Sequence, residues 1–291
     1  MNTPLQASAR ILAIAGNTFT ELVRQKVFYF LLLFALIMIG NSAFLAKFSF
    51  QEEFQMLKDV ALGAMSVFLS LLAILATAML LPRDIEDRTI FTILSKPVPR
   101  HEYLLGKLLG VFYLLTLSTL VMGFLFIGVL LLREQAALME TRSSLSGSPQ
   151  ELAAALAGIR KGAFGWDLIP AMAILLVKAA LLSSLTLLIS TFATSGIFAI
   201  LVAASAYFIG HLQVTAREYW LSGIGVHWWT RLFTALIALI FPDLQAFNLT
   251  DDIVAGTALP MGIFWQTVAL GGVYVLVYYA VACFLFQNRE L

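Results

Sequence analysis

The densest group of chemically capable side chains lies between Arg83 and Lys107. There, 25 residues carry nine charges: Arg83, Asp84, Glu86, Asp87, Arg88, Lys96, Arg100, Glu102 and Lys107. Charges of both signs at this density suit ion pairing with a soluble partner. Asp84, Glu86, Asp87 and Arg88 are expected to form the first turn of a short helix, where carboxylates suit the positive end of the helix dipole. Ile85, Ile90, Phe91, Ile93 and Leu94 give that helix an apolar side. Pro97 stops it and Pro99 imposes a turn. A rigid helix that is apolar on one side and charged on the other suits docking into a partner's groove. An ordinary loop anchored by positive charge is the plainer alternative.

Other chemistries find less support. No GxxxxGK[ST] phosphate cradle is present. The run Leu145–Gln150 (LSGSPQ) looks superficially like the signature loop of an ABC ATPase, but without a P-loop domain it reads as coincidence. His101, His211 and His227 lack metal-ligand spacing, so no metal site is expected. The single cysteine, Cys283, allows neither an internal disulfide nor a cysteine metal cluster and reads as a packing residue. No Ser–His–Asp set can be assembled.

The elements around these residues follow from composition. The chain has 291 residues, 60% hydrophobic and only 12% charged, with a mean hydropathy of +0.91. Soluble domains carry about 25% charge. A bilayer core of about 30 Å needs about 20 apolar residues per helical span. The fold class is therefore an all-α polytopic membrane protein, read as one transmembrane domain over 1–291. Its six spans are Val27–Ala46, Val60–Leu81, Leu104–Leu132, Leu168–Phe192, Gly196–Leu212 and Gly262–Phe286. The first is too long and too far into the chain for a secretory signal, so it is read as a retained helix. Leu232–Phe241, preceded by Trp228 and Trp229, is half the length of a span and is read as interfacial or re-entrant. Thr141–Gln150 (TRSSLSGSPQ) has the composition of a flexible linker.

Residues 5–25 form an amphipathic lead-in. Ile11, Leu12, Ala15, Phe19, Leu22 and Val23 share one third of a helical wheel, with Arg10, Asn17, Glu21 and Arg24 gathered opposite. Such a helix can lie along the membrane interface, apolar face in lipid; a plain extension of span 1 is the alternative. Counting Lys and Arg by loop length puts both termini and the 83–100 loop on the cytoplasmic side. Gly106 and Gly110, at small-xxx-small spacing, permit close helix packing. Lys178 is the one charge inside a span, with no Asp or Glu in any span to neutralise it. It either lines a substrate path or makes a structural bond to hydroxyl or carbonyl groups. Asn41 and Gln266 are milder intramembrane polar groups, suited to interhelical hydrogen bonds or to the same path.

The 83–100 segment resembles the cytoplasmic loop of ABC-2-type ABC transporter permeases, in the branch labelled as involved in multi-copper enzyme maturation. The resemblance is carried by Glu86-Asp87-Arg88-Thr89, Leu94-Ser95-Lys96-Pro97 and Gly106-Lys107-Leu108-Leu109-Gly110. It continues at Glu21–Tyr29, Ser190-Thr191-Phe192, Gly210-His211, Phe247-Asn248-Leu249 and Phe286 with Arg289-Glu290-Leu291, over most of the chain. It implies a type V exporter-like permease in the bacterial inner membrane. Two permease copies, identical or related, would work with two separate ATPase subunits. This chain would bind no cofactor, ATP and magnesium being used by the ATPase partner, and would be no enzyme. Residues Asp84, Glu86, Asp87, Arg88, Thr89, Ser95, Lys96, Pro97 and Arg100 would then couple to the ATPase, with Arg10, Glu21 and Arg24 on the interface helix. Two other classes remain for comparison. An ion-coupled secondary transporter relies on acidic or histidine relays within the membrane, which the spans are read as lacking. A membrane enzyme needs a convergent polar site, and His211, His227 and Asp243 are scattered. A relative that transmits force without moving cargo is a further variant.

Overall fold

The computed structural model describes residues 4–46, 53–87, 98–144, 149–221, 228–229, 232, 241–248 and 260–288. Among these the helices are α1 (Pro4–Val23), α2 (Lys26–Ala46), α3 (Glu53–Ala78), α4 (Leu80–Glu86), α5 (Arg100–Ser144), α6 (Pro149–Gly162), α7 (Leu168–Phe192), α8 (Gly196–Leu221) and α9 (Met261–Gln287). A short 3-10 turn covers Gln245–Phe247. Six stretches are long and apolar enough to cross a bilayer: Lys26–Phe44, Glu53–Glu86, Arg100–Ser143, Leu168–Phe192, Gly196–Gln213 and Met261–Gln287. They follow the expected spans in order. Leu232 and Phe241 bound the expected re-entrant segment, whose residues 233–240 lie outside the described residues.

α7 is the hub. It packs against α3, α5, α8 and α9. Two thirds of the apolar window of α3 and of α7 is buried (67% each), against 22% for α2 and 17% for α9. The peripheral helices thus turn most of their apolar surface outward, an arrangement suited to lipid and costly in water.

Span 2 breaks at Met79, between α3 and α4, and Pro82 explains the break. Its ring lacks an N–H and collides with the carbonyl four residues back, which is that of Ala78. Ser190 of α7 lies 3.4 Å from that freed carbonyl and donates to it, and the ladder resumes with Arg83 N–H donating to Met79 O at 3.1 Å. The break therefore falls one turn before the charged stretch.

At the other end of the bundle the helices run on past the expected spans. α5 does not stop at Leu132 but runs on to Ser144, so its 45 residues span about 68 Å at 1.5 Å each, over twice the bilayer core. Thr141–Ser144 complete α5, and Pro149 and Gln150 open α6, so the described part of Thr141–Gln150 is helical rather than a flexible linker. Strong helix formers after Arg133 (Glu134, Gln135, Ala136, Ala137, Leu138, Met139) carry α5 past the membrane boundary, and Pro149 suits the first position of α6. This overhang is tied to span 2: Arg133 pairs with Glu53, and Lys58 Nζ donates to Gly162 O at the end of α6 at 2.7 Å. α8 likewise runs past Leu212 to Leu221.

Candidate functional site

At the opposite end, α1 lies along the first turns of α5. The two glycines make this approach possible. A Cβ on Gly106 would sit 2.7 Å from Ile14 Cβ, and one on Gly110 2.6 Å from Thr18 Cβ and 2.8 Å from Ala15 O. The small-residue pair thus packs closely, with α1 as its partner. The buried stripe of α1 is Ala15, Thr18 and Leu22, flanked by Ile11 and Ile14, rotated from the arc expected to face lipid; Leu12 remains 56% exposed. One face of α1 meets α5, the adjacent apolar flank is left outward, and the charged flank curls over the span ends.

That charged flank is paired rather than free. Arg10 forms a two-pronged bond with Glu102, Nε to Oε2 at 2.8 Å and Nη2 to Oε1 at 2.9 Å, the geometry in which guanidinium and carboxylate bind most strongly. Hydrogen bonding to the Glu102 carboxylate raises the Arg10 pKa above its ordinary value. Deeper in, Lys107 Nζ lies 2.7 Å from Asp84 Oδ2 and 4.0 Å from Glu21 Oε2, and Tyr103 donates its hydroxyl to Asp84. At the rim, Arg83 reaches Glu21 at 3.4 Å and Asp87 at 3.6 Å. α1, α4 and α5 are therefore joined by two groups of charges, the Arg10–Glu102 pair and the Glu21–Lys107–Asp84 cluster with Arg83 and Asp87. Beside it, Asn17, Thr20, Glu21, Arg24, Gln25 and Arg83 line an open polar cleft of about 450 Å³.

Asp84 and Glu86 lie in the last turn of α4, and Asp87 caps its C-terminus. This reverses the expected first-turn placement: carboxylates at the negative dipole end are unfavourable alone, and Lys107 and Arg83 offset them. Asp84 is buried in the knot, whereas Glu86 and Asp87 face outward. Arg88, Thr89, Ser95, Lys96 and Pro97 lie outside the described residues. Arg100, expected to meet a partner, also turns inward: Nη1 donates to Phe286 O at 2.8 Å and Gln287 O at 2.9 Å. It thereby satisfies carbonyls at the end of α9 that have no helical donor. Its guanidinium sits 5.8 Å over the Phe286 ring, which stacks on Tyr103 at 6.2 Å. Tyr279 of α9 donates to His101 O at 2.9 Å. Glu102, Lys107, Tyr103 and the α9 carbonyls were not among the expected site residues, because pairs such as Arg10 and Glu102, 92 positions apart, leave no local pattern.

A second polar group lies inside the bundle. Lys178 on α7 is 3% exposed. Its Nζ is 3.1 Å from Ser66 Oγ of α3 and 3.3 Å from His211 Nε2 of α8, and 6.0 Å from the Tyr207 ring centroid. His211 Nδ1 lies 3.2 Å from Tyr207 O, so the assignment with Nδ1–H donating leaves Nε2 to accept from the lysine. Pro242–Phe247 folds onto this helix pair: Leu244 N–H donates to Gly210 O at 3.1 Å, and Leu244 and Phe247 are fully buried. His211, within the expected bounds of span 5, thus stands beside Lys178, a neighbour that the sequence alone did not supply. Asn41 and Gln266 are exposed on α2 and α9 and do not join Lys178.

Six apolar helices that include the buried hub α7, with an amphipathic helix tied across one end, define an integral membrane protein. Among the described residues no three of His, Cys, Asp or Glu converge as metal ligands. Residues 12–291 match the family model described as "ABC-2 family transporter protein", and the chain belongs to that family. It is accordingly a permease of an ABC transporter, and membership implies association with ABC ATPase subunits and with the membrane. No curated protein matches the chain.

Proposed function

We propose that the chain is the membrane subunit of an ATP-driven exporter in a bacterial inner membrane, with both termini and the α1 end of the bundle in the cytoplasm. Two copies, or two related permeases, would meet two ATPase subunits that hold the ATP and magnesium. The observation that carries this reading is the two charge groups that tie these helices, Arg10–Glu102 and Glu21–Lys107–Asp84 with Arg83. It makes α1, α4 and the start of α5 one block. A push on the 83–100 segment would then move spans 2 and 3 together, and Arg100 would carry the end of span 6 with them. The inward charges hold the block, and the outward ones (Glu86, Asp87, Arg83 and Arg24 around the polar cleft) meet the ATPase. α1 would lie along the cytoplasmic interface with its apolar flank in lipid. Assignment to the multi-copper enzyme maturation branch rests on the motifs quoted above.

The test is co-purification with the cognate ATPase from native membranes. Reversing Glu86 and Asp87 to arginine should abolish ATPase recovery while the permease stays folded. Undiminished recovery would contradict the reading. Among the described residues, Lys178 and His211 are the feature that suits ion-coupled transport. Transport by the chain without an ATPase subunit would favour that alternative.

A further inference from the structure

Lys178 sits 10 residues after Leu168 and 14 before Phe192, about 15 Å and 21 Å from the two ends of α7, too deep for its side chain to reach water. A charge at such depth is costly and marks a functional position. Its environment does not neutralise it. Among the described residues no carboxylate lies within ion-pair distance of Nζ. Lysine has three N–H donors. Ser66 Oγ and His211 Nε2 account for two; the Tyr207 ring at 6.0 Å is at the limit of a cation–π contact. One donor is left without an oxygen acceptor among the described residues. The titratable groups beside the site are Tyr207 and His211 of α8, with Asp243 on the Pro242–Phe247 segment that packs on the same helix.

The wall of the site is thin on one side. α8 supplies Tyr207 and His211 inward, while Leu201, Phe208 and Leu212 of the same helix are more than 60% exposed on its outer face. One helix therefore separates an ammonium with no carboxylate partner among the described residues from the outward apolar face of the bundle.

We propose that Lys178, with Ser66 and His211, is an intramembrane subsite for the anionic headgroup, carboxylate or phosphate, of an amphiphilic cargo. The chain of the cargo would enter from lipid past α8, and its headgroup oxygen would take the third lysine donor. This rests on the reading of the chain as a cargo-moving permease and adds the cargo class.

The experiment uses the full chain purified in uncharged detergent, with thermal unfolding followed during titration with dodecyl phosphate, dodecanoate, dodecanol and dodecyltrimethylammonium. Binding to the native state raises the transition temperature with ligand concentration. The anions should stabilise the wild type, and the alcohol and the cation should not; whichever anion binds tighter assigns the headgroup. In K178M the apparent affinity for the anions should fall at least tenfold, and in K178R it should stay within about threefold, one hydrogen bond to a charged group corresponding to about tenfold. If K178M does not fold, H211Q and S66A carry the test, each expected to weaken binding several-fold. Equal stabilisation by dodecanol, or anion titrations unchanged in the variants, would overturn the proposal. ATPase co-purification measured on the same variants separates the two readings. Lost anion binding with an intact complex concerns this subsite alone, and a lost complex concerns the coupling account.

Discussion

Replacing Lys107 with methionine is the sharpest perturbation of the charge knot. The ammonium is 4% exposed and stands 2.7 Å from Asp84 Oδ2, whose side chain is only 12% exposed. Methionine keeps most of the side-chain volume and removes the charge. Asp84 would then keep Tyr103 as a donor but lose the cation that offsets its charge and its position at the negative end of α4. An exposed pair of this kind contributes about 0–1 kcal/mol, whereas removing one partner of a buried pair costs about 3–5 kcal/mol. The burial here selects the second figure, about 150- to several-thousand-fold on the opening equilibrium of the α1–α4–α5 block. Hydrogen exchange of α1 and α4 amides, measured in detergent or nanodiscs, reads that equilibrium directly. Pairing Lys107→Met with Asp84→Leu should recover most of the loss, because both charges are then absent. A single variant costing under about 1 kcal/mol, or a double variant no better than the single, would refute the assignment of this pair as buried and mutually compensating.

Two further outcomes follow from the packing. Gly110→Leu must push α1 off α5, since even a Cβ meets Thr18 and Ala15; a destabilisation of about 1–3 kcal/mol should appear as faster exchange in α1, with α7 unaffected. Arg100→Ala should free the α9 carbonyls at Phe286 and Gln287, raising exchange in the last turn of α9 about tenfold or more, and Arg100→Lys should restore part of that protection.

The six spans were legible because crossing a bilayer demands long apolar runs, and those runs are local in sequence. The close approach at Gly106 and Gly110 was legible for a related reason: absence of a side chain is itself the signal. Helix ends were less so. Nothing in hydropathy tells α5 to continue beyond Leu132 once it leaves lipid, because its next residues are equally good helix formers. Which way the side chains of the charged stretch turn was not legible. Charge marks a residue that needs a partner without saying whether the partner is another subunit or Glu102, Asp84 and the end of α9. Asp84 suits a helix start by the dipole rule, whereas the second span runs on past Pro82 and α4 ends two residues after Asp84, at Glu86. Lys178 was found by its depth alone; Ser66 and His211 required the helices to be assembled, since they lie 112 and 33 positions away.

Cysteine cross-linking in membranes of the producing cell tests the central claim most directly. With Cys283 replaced by serine, single cysteines are introduced at Glu86, outward on α4, and at Met139, outward on the α5 overhang. The account predicts that the cysteine at position 86 cross-links to the ATPase subunit and is shielded from a membrane-impermeant thiol reagent applied to intact cells. The cysteine at position 139 should react with that reagent and give no ATPase cross-link. The reverse pattern, with position 139 joined to the ATPase and position 86 labelled from outside, would contradict it.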